Sequence, residues 1–255
     1  MNYSIYNDDC MNILPTIEDK SIECIITDLP YDIVTNYGKE RAKYSGQLRK
    51  LDKGKADILT FELDEFLKEI SRVSNGCIYL FCGYQQLSQI FNYFHNNKDF
   101  MVRVCYWHKT NPSPMNGQHM YLNAVEPIVF AKRRKTQFNA KCVHNWFEFE
   151  QNDEYREFIN HKEVFELPTR RSKIHPTEKP VELLQQMILD STVEFDTVAD
   201  FCAGSFSTGK GALELNRNFI GVELDKTYFD LGEKALNDYI NDKNNKWKGD
   251  WWIDE

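Results

Sequence analysis

The 255-residue sequence lacks the features of a membrane protein, a metalloprotein and a disulfide-linked fold. No apolar stretch approaches the roughly 20 residues that a membrane-spanning helix needs, and the N-terminus has no charged and then apolar signal pattern. The seven cysteines include no Cys-x-x-Cys pair, and the six histidines show no zinc-ligand spacing. We therefore expect a soluble cytoplasmic protein that is not associated with a membrane, without a metal or a disulfide framework.

An excess of positive charge is also missing. The chain has 31 Lys and Arg against 39 Asp and Glu, a net charge of −8, which argues mildly against a nucleic-acid partner because neutralising phosphates dominates nonspecific binding. The cations nevertheless cluster, in Lys39 to Lys55, Lys132 to Lys135 and Arg170 to Lys173. A basic face on an acidic protein is compatible with DNA, although each cluster could equally be ordinary solvated surface.

Apolar strand-like runs alternate with helical patterns along most of the chain. This alternation predicts an α/β fold, a mostly parallel sheet with helices on both faces. Residues 32–57 are polar and without a period, which predicts a long mobile loop. Residues 132–173 are aromatic and charged and predict a recognition element. The predicted strands are Tyr3–Asn7, Ile22–Thr27, Cys77–Cys82, Met101–Trp107, Ala124–Ala131, Thr197–Phe201 and Phe219–Glu223. The predicted helices are Cys10–Ile17, Leu59–Val73, Tyr84–Phe94, Pro180–Leu189, Thr208–Leu215 and Lys226–Ile240.

Two loops far apart in the sequence carry candidate functional residues. Thr27–Tyr31 and Asp200–Gly204 each follow an apolar, β-branched run, so each is expected at the carboxyl end of a parallel strand, where open α/β sheets bind ligands. In the first loop, the Asp28 carboxylate and the Leu29 carbonyl can accept the two hydrogens of an amino group, and the aromatic ring of Tyr31 can stack on a nucleobase. The simpler alternative is an ordinary turn, since Asp and Pro both favour turns.

Four segments in a fixed order resemble a known family. Asp28-Leu29-Pro30-Tyr31, His175–Pro180, Asp200–Ser205 and Phe219–Asp225 together look like the motifs of the beta-class amino-group DNA methyltransferases. The resemblance implies a single Rossmann-like methyltransferase domain that is circularly permuted, so that the catalytic half precedes the cofactor half. It implies a catalytic half over residues 1–131, a target-recognition insert over 132–173 and a cofactor-binding half over 174–255.

The same resemblance assigns roles to individual residues. The catalytic segment would be Asp28, Leu29, Pro30 and Tyr31. S-adenosylmethionine would be bound by Asp9, Cys10, Thr177, Lys179, Asp200, Phe201, Ala203, Gly204, Ser205, Glu223, Leu224 and Asp225. Within that set Thr177 and Lys179 would meet the methionine carboxylate, Glu223 the ribose hydroxyls and Asp9 the adenine amine. A helix-start position for Lys179, a position beside a helix N-cap for Glu223 and a helix cap for Asp9 are the structural alternatives. The candidate DNA-binding cations are Lys43, Arg49, Arg133, Arg134, Arg170 and Arg171.

Two positions depart from the family pattern. Leu29 replaces the first Pro of the catalytic segment but keeps the carbonyl that the chemistry needs. Phe206 stands where the cofactor loop usually has a second Gly, so its ring either packs away from the cofactor or narrows its site.

The resemblance implies site-specific methylation of adenine N6 in double-stranded DNA by base flipping, because Asp rather than Ser opens the catalytic segment. A homodimer and a cognate restriction endonuclease are further expected partners. The alternatives are cytosine N4 methylation, an RNA or protein-amide target, and a DNA-binding homologue without catalysis. A dehydrogenase is disfavoured because the loop after Asp200 lacks Gly-x-Gly-x-x-Gly.

Overall fold

The computed structural model describes residues 2–31, 59–110, 121, 124–140, 144–149 and 178–249. The predicted mobile loop and most of the predicted recognition element lie outside these residues. So do five of the predicted site residues, namely Lys43, Arg49, Arg170, Arg171 and Thr177.

Eight strands and six helices occupy the described residues, and a short 3-10 turn follows the first helix. The strands are β1 Tyr3–Asn7, β2 Ile22–Asp28, β3 Ser74–Phe81, β4 Phe100–Lys109, β5 Val125–Arg133, β6 Trp146–Phe149, β7 Thr197–Asp200 and β8 Asn218–Glu223. The helices are α1 Cys10–Ile13, α2 Leu63–Val73, α3 Tyr84–Asn96, α4 Val181–Ser191, α5 Ser207–Glu214 and α6 Lys226–Gly249.

The strands form one sheet in the order β1-β8-β7-β2-β3-β5-β4-β6. Every neighbouring pair is parallel except the two pairs that involve β5, which runs antiparallel to both β3 and β4. The prediction of a mostly parallel sheet is therefore confirmed. The reversed direction of β5 has a consequence for the site, because its first residues lie at the edge where the parallel strands end.

The sheet separates two hydrophobic cores, so helices cover both faces as predicted. One core packs α2 and α3 against the sheet through residues such as Phe66, Ile70 and Phe94. The other packs α4 and α5 through residues such as Leu184 and Met187. In the described part of the chain, no helix has the length and apolar character that crossing a membrane requires.

The structure changes the predicted elements in a few places. The predicted helix from Cys10 to Ile17 is α-helical only as far as Ile13, because Pro15 lies in a 3-10 turn directly after it. Pro180 is the N-cap of α4 rather than its first residue. Strand β5 runs without interruption through Pro127, whose carbonyl still accepts a hydrogen bond from the Cys82 amide at 3.3 Å. Strand β6 was not predicted, and it extends the sheet beyond β4.

Candidate active site

The first predicted loop leaves β2 and is tied to the neighbouring strand and helix. The Leu29 amide donates to the carbonyl of Phe81 at the end of β3, at 3.1 Å. The Gln86 side chain on α3 donates through Nε2 to the Pro30 carbonyl at 2.7 Å. These bonds hold the catalytic segment on both sides of its proline, and they identify Gln86 as a contact that the sequence did not indicate.

The two carboxylate oxygens of Asp28 have different environments. Oδ2 accepts a hydrogen bond from the Lys179 ammonium at 2.5 Å. Oδ1 is buried and has no hydrogen-bond partner among the described residues. Burial raises the pKa of Asp28, and the nearby Lys179 charge opposes that shift. Asp28 therefore keeps one carboxylate oxygen available for a further donor.

Lys179 bridges two carboxylates. Its ammonium lies 3.0 Å from Oε1 of Glu126 as well as 2.5 Å from Asp28, and only 7% of its side chain is exposed. It also lies over the ring of Phe81, 5.1 Å from the centroid. Burial alone would lower the pKa of Lys179, but the two carboxylates outweigh it and raise the pKa. The contact with the cofactor's carboxylate that the family resemblance implies for Lys179 stays a prediction.

Glu126, near the start of β5, is the centre of this cluster and was not predicted as a site residue. Its Oε1 accepts from the Tyr31 hydroxyl and from Lys179, and its Oε2 accepts from Lys109 at 2.8 Å. Burial would raise the pKa of Glu126, yet Lys179 and Lys109 together lower it to about 2. The sequence held no signal for this position, because only the folded sheet shows that β5 is antiparallel and that its first residues lie beside the ends of β3 and β4.

The second predicted loop lies against the first. Strands β2 and β7 are parallel neighbours, and the Phe201 amide donates to the Thr27 hydroxyl at 3.1 Å. One cleft is lined from the catalytic side by Asp28 and Lys179 and from the other side by Asp200 and the Ala203–Ser205 turn. The structure thus brings together the two loops that the sequence placed at strand ends.

Asp200 and Glu223 are the buried carboxylates of the second loop. Asp200 accepts from the Thr208 hydroxyl at 2.7 Å and from the Cys202 amide at 3.2 Å. Its burial raises its pKa to about 7. Glu223, at the end of β8, accepts from the amides of Gly204 and Asp225, both at 2.8 Å, and burial raises its pKa. Glu223 therefore fixes the turn at Gly204, whose φ of 51° favours glycine.

Phe206 packs away from the cleft. Its ring is fully buried and makes edge contacts with Phe219 and Phe229 at centroid distances of 6.4 and 5.7 Å. A Cβ on Gly221 or Gly232 would approach the ring to 2.8 or 2.6 Å, so both glycines make space for it. The backbone of Phe206 is left-handed, with φ 58°, which is the conformation that a glycine would adopt most easily. The ring thus leaves the cleft open.

Asp9, Cys10 and Asp225 lie beside Glu223 at the same edge of the sheet. Asn7 donates to the Glu223 carbonyl at 2.9 Å, which joins the end of β1 to the end of β8. Asp9 caps α1 by accepting from the Met11 amide, as the structural alternative predicted, and Asp225 accepts from the first amides of α6. Cys10 is buried, which raises its pKa to about 12.

Arg133 and Arg134 lie at the opposite end of the strands from the catalytic loop, because β5 runs antiparallel to its neighbours. Arg133 donates to the carbonyls of Ser74 and Ser71 at 3.0 and 2.7 Å, and 13% of its side chain is exposed. Arg134 donates through Nε to the Lys98 carbonyl at 2.9 Å. The prediction grouped these arginines with the DNA-binding cations, whereas their contacts here connect β5 to α2, β3 and the turn before β4.

The structure resembles solved DNA methyltransferases. M1.HpyAVI in complex with SAM is 25% identical, with a TM-score of 0.61, and the match covers 91% of this chain and 99% of that one. The PvuII DNA methyltransferase, described as cytosine-N4-specific, is 17% identical with a TM-score of 0.63, covering 94% of this chain and 92% of that one. The second similarity concerns the fold alone.

Sequence comparisons agree with the fold. The Type II methyltransferase M.HinfI of Haemophilus influenzae is 32% identical over 91% of this chain and 68% of its own length. The Type II methyltransferase M2.LlaDCHI of Lactococcus lactis subsp. cremoris is 28% identical over 92% of this chain and 90% of its own length. The family model described as DNA methylase matches residues 22–234, a range that includes both loops of the cleft. The chain therefore belongs to the N6/N4 DNA methylase family, whose members are DNA methyltransferases that use S-adenosylmethionine.

Proposed function

We propose that this DNA methyltransferase modifies the N6 amino group of adenine within a specific sequence of double-stranded DNA. The observation that carries the proposal is the buried, unpartnered Oδ1 of Asp28 in a cleft shared with the Asp200–Ser205 loop. An acceptor in that position suits an amino group presented to a methyl donor on the other side of the cleft.

An amino group on an aromatic base is a weak nucleophile, because its lone pair is delocalised into the ring. Two acceptors on its hydrogens draw the nitrogen toward a tetrahedral geometry, and Asp28 Oδ1 supplies one of them. The Pro30 carbonyl is already bonded to Gln86, so the carbonyl of Leu29 is the better second acceptor. Tyr31 provides a ring on which a flipped base stacks, worth about 1–3 kcal/mol, which offsets the few kcal/mol that extruding a base costs.

The residues of the second loop fit S-adenosylmethionine, which supplies an activated methyl group on its sulfonium. Glu223 lies at a strand end, where a carboxylate can accept ribose hydroxyls, and the glycine at 204 lets the backbone approach a ligand closely. Asp200 and Glu223 have no ion pair with Lys or Arg among the described residues, so no protein cation competes with a cationic ligand for these carboxyl groups. Because Phe206 packs into the core, the ring does not obstruct this site.

Cytosine N4 is the second candidate target, since the same two acceptors would hold either amino group. Incubating the protein with unmodified DNA and labelled S-adenosylmethionine, digesting the DNA and identifying the modified nucleoside distinguishes the two. N6-methyladenine at a fixed sequence is the expected result, and N4-methylcytosine would overturn the adenine assignment. Calorimetry without detectable cofactor binding, alongside intact DNA binding, would favour the noncatalytic homologue.

The partners and the organisation of the chain complete the proposal. We assign target recognition to residues 132–173 and DNA contacts to Lys43, Arg49, Arg170 and Arg171. We also expect a circularly permuted domain order and a cytoplasmic protein.

A homodimer that pools two short recognition elements on one site is testable by sedimentation with and without DNA. A cognate restriction endonuclease is supported by the names of the relatives, which are Type II methyltransferases. Cleavage of unmethylated but not methylated DNA by such a partner would test that pairing.

A further inference from the structure

Four charged side chains meet beneath the catalytic loop. Asp28 ends β2, Lys109 ends β4, Glu126 lies near the start of β5, and Lys179 precedes α4. The exposed fractions of the Lys179 and Glu126 side chains are 7% and 8%, and those of Lys109 and Asp28 are 17% and 27%. Two carboxylates and two ammonium groups balance, so the cluster is neutral when all four are ionised.

Glu126 contacts both lysines of the cluster and the nearby Tyr31 hydroxyl, but it does not contact Asp28. It accepts from Lys109 at 2.8 Å, from Lys179 at 3.0 Å and from the Tyr31 hydroxyl. Lys179 in turn donates to Asp28 Oδ2 at 2.5 Å. The Lys179 ammonium is therefore held between two carboxylates, of which one belongs to the predicted catalytic segment and the other does not.

Losing the charge of Glu126 would change this arrangement in a defined way. Lys179 and Lys109 would share one carboxylate, Asp28, and a net positive charge would remain in a buried site. Unbalanced buried charge is costly, so the lysines would shift toward solvent or toward Asp28. An ammonium drawn further onto Asp28 would compete with the target amino group for the carboxylate.

We propose that Glu126 is a positioning residue for methyl transfer, which holds Lys179 at Asp28 Oδ2 and thereby leaves Oδ1 for the target amine. Its bond to the Tyr31 hydroxyl fixes the ring on which the base stacks. Glu126 thus acts through Lys179 and Tyr31 rather than by touching the substrate. The inference rests on amino-group methylation of DNA, but it is the same for adenine and cytosine.

The test is the Glu126→Gln variant, which keeps the size of the side chain and an acceptor for Tyr31 but removes the charge. Methyl incorporation into unmethylated plasmid DNA is followed in a single turnover at saturating cofactor and DNA. The rate should fall by about 10- to 100-fold, as expected for a small misplacement of reacting groups. The dissociation constants for S-adenosylmethionine and for DNA should stay within about threefold, because uniform binding is unaffected.

A double-mutant cycle separates positioning from a general structural role. In a Lys179→Gln background, adding Glu126→Gln should slow the reaction by less than about threefold, because the residue through which it acts has already been changed. The matched control is Glu69→Gln, which removes a carboxylate paired with Arg72 at 2.8 Å on α2 and should leave the rate unchanged.

Several results would overturn the inference. One is a single-turnover rate for Glu126→Gln close to that of the wild-type protein. Another is a rate loss that weaker binding of cofactor or DNA explains. The third is an equal rate loss from Glu126→Gln in the wild-type and Lys179→Gln backgrounds. If Glu126→Gln does not fold, Glu126→Asp, which keeps the charge on a shorter side chain, is judged by the same rate and binding criteria. No incorporation by the unchanged protein would contradict the proposed function itself, whereas normal incorporation by Glu126→Gln would contradict this inference alone.

Discussion

The two sides of the cleft hold their buried carboxylates in different ways. On the catalytic side, Asp28 and Glu126 are paired with lysine ammonium groups at 2.5 to 3.0 Å. On the cofactor side, Asp200 and Glu223 are held by a hydroxyl and by backbone amides instead. Full positive charges stabilise the ionised form of the first pair more strongly than neutral dipoles stabilise that of the second.

Among the described residues, the two sides also differ in the pKa values of their carboxylates. The pKa of Glu126 is lowered to about 2, while burial raises the pKa of Asp200 to about 7. On the side of the predicted catalytic segment, Lys109 and Lys179 balance the charges of Asp28 and Glu126, which suits an uncharged base as the substrate. Asp200 and Glu223 have no ion pair with Lys or Arg among the described residues, which suits a ligand that brings positive charge of its own.

Removing the Asp28 carboxylate should produce the largest effect, a slower methyl-transfer step without a loss of cofactor affinity. Asp28→Ala eliminates an acceptor for the target amine and should lower the rate of methyl incorporation by about 10²- to 10⁴-fold. Cofactor affinity, measured by calorimetry, should change little because the Glu223 side of the cleft is untouched. Asp28→Asn keeps the size of the side chain and should be nearly as slow. Retained methylation in either variant would remove Asp28 from the catalytic role.

Truncating Phe206 tests whether the cofactor side depends on aromatic packing. Phe206→Ala should lower the free energy of unfolding by about 3–5 kcal/mol, because it leaves a cavity between Phe219 and Phe229. Phe206→Gly should be about 1 kcal/mol more stable than the Ala variant, since φ of 58° suits glycine. Urea unfolding measures both differences.

The matched control is Phe195→Ala. Phe195 also has a left-handed backbone, with φ 70°, but 66% of the residue is exposed. We expect a much smaller loss of stability there, and an equal loss at both positions would show that backbone conformation rather than packing sets the effect.

Changing Glu223 should weaken cofactor affinity more than it lowers the methylation rate, which is the opposite of the result expected for Asp28. Glu223→Ala removes the carboxylate that holds the turn at Gly204 and should weaken cofactor binding by about 10- to 100-fold, the range for a charge-assisted hydrogen bond. The rate at saturating cofactor should fall much less. Glu223→Gln keeps one acceptor and should be intermediate. An unchanged dissociation constant for Glu223→Ala would contradict its assignment to the ribose.

The pH dependence of stability should have opposite signs at Asp200 and at Glu126, whose pKa values are shifted in opposite directions. The pKa of Asp200 is about 7 in the folded protein against an ordinary 3.8, so the unchanged protein should lose stability relative to Asp200→Asn as pH rises from 4 to 7. The pKa of Glu126 is about 2 against an ordinary 4.5, so the unchanged protein should gain stability relative to Glu126→Gln as pH rises from 2 to 4.5. Each slope is at most about 1.4 kcal/mol per pH unit. Urea unfolding across pH measures them, and slopes of the same sign would refute the comparison.

The sequence was sufficient to predict both loops, because each follows the carboxyl end of a parallel strand. It could not indicate Glu126, because a strand pattern does not reveal strand direction and β5 brings its first residues to that edge. The same reversal determines where Arg133, which was predicted as a DNA-binding cation, lies in the fold. Adjacent Lys and Arg residues suggested a DNA-binding surface. In the structure, the last residues of β5 lie beside the first residues of β3 and β4, at the end of the strands away from the cleft.

Other features depend on contacts between distant residues. The bridge from Lys179 to Asp28 joins positions 151 residues apart, so a local pattern at Lys179 could only suggest a cation for a ligand. The sequence left open whether the Phe206 ring packs away from the cofactor or narrows its site, because the space that accommodates the ring is made by Gly221 and Gly232, which no spacing rule connects to it. Propensity and periodicity therefore identified the elements, while side-chain partners required the folded structure.

The bond between the Phe201 amide and Thr27 has a consequence for biosynthesis. It connects residues 174 positions apart, and the strand that precedes Phe201 is the neighbour of β2. While the ribosome has made only the first two thirds of the chain, β2 has one bare edge and β1 has no strand beside it. A bare edge favours aggregation, so the nascent chain passes through a vulnerable stage. Both walls of the cleft are present only after the Asp200–Ser205 loop has been synthesised, which is late in translation.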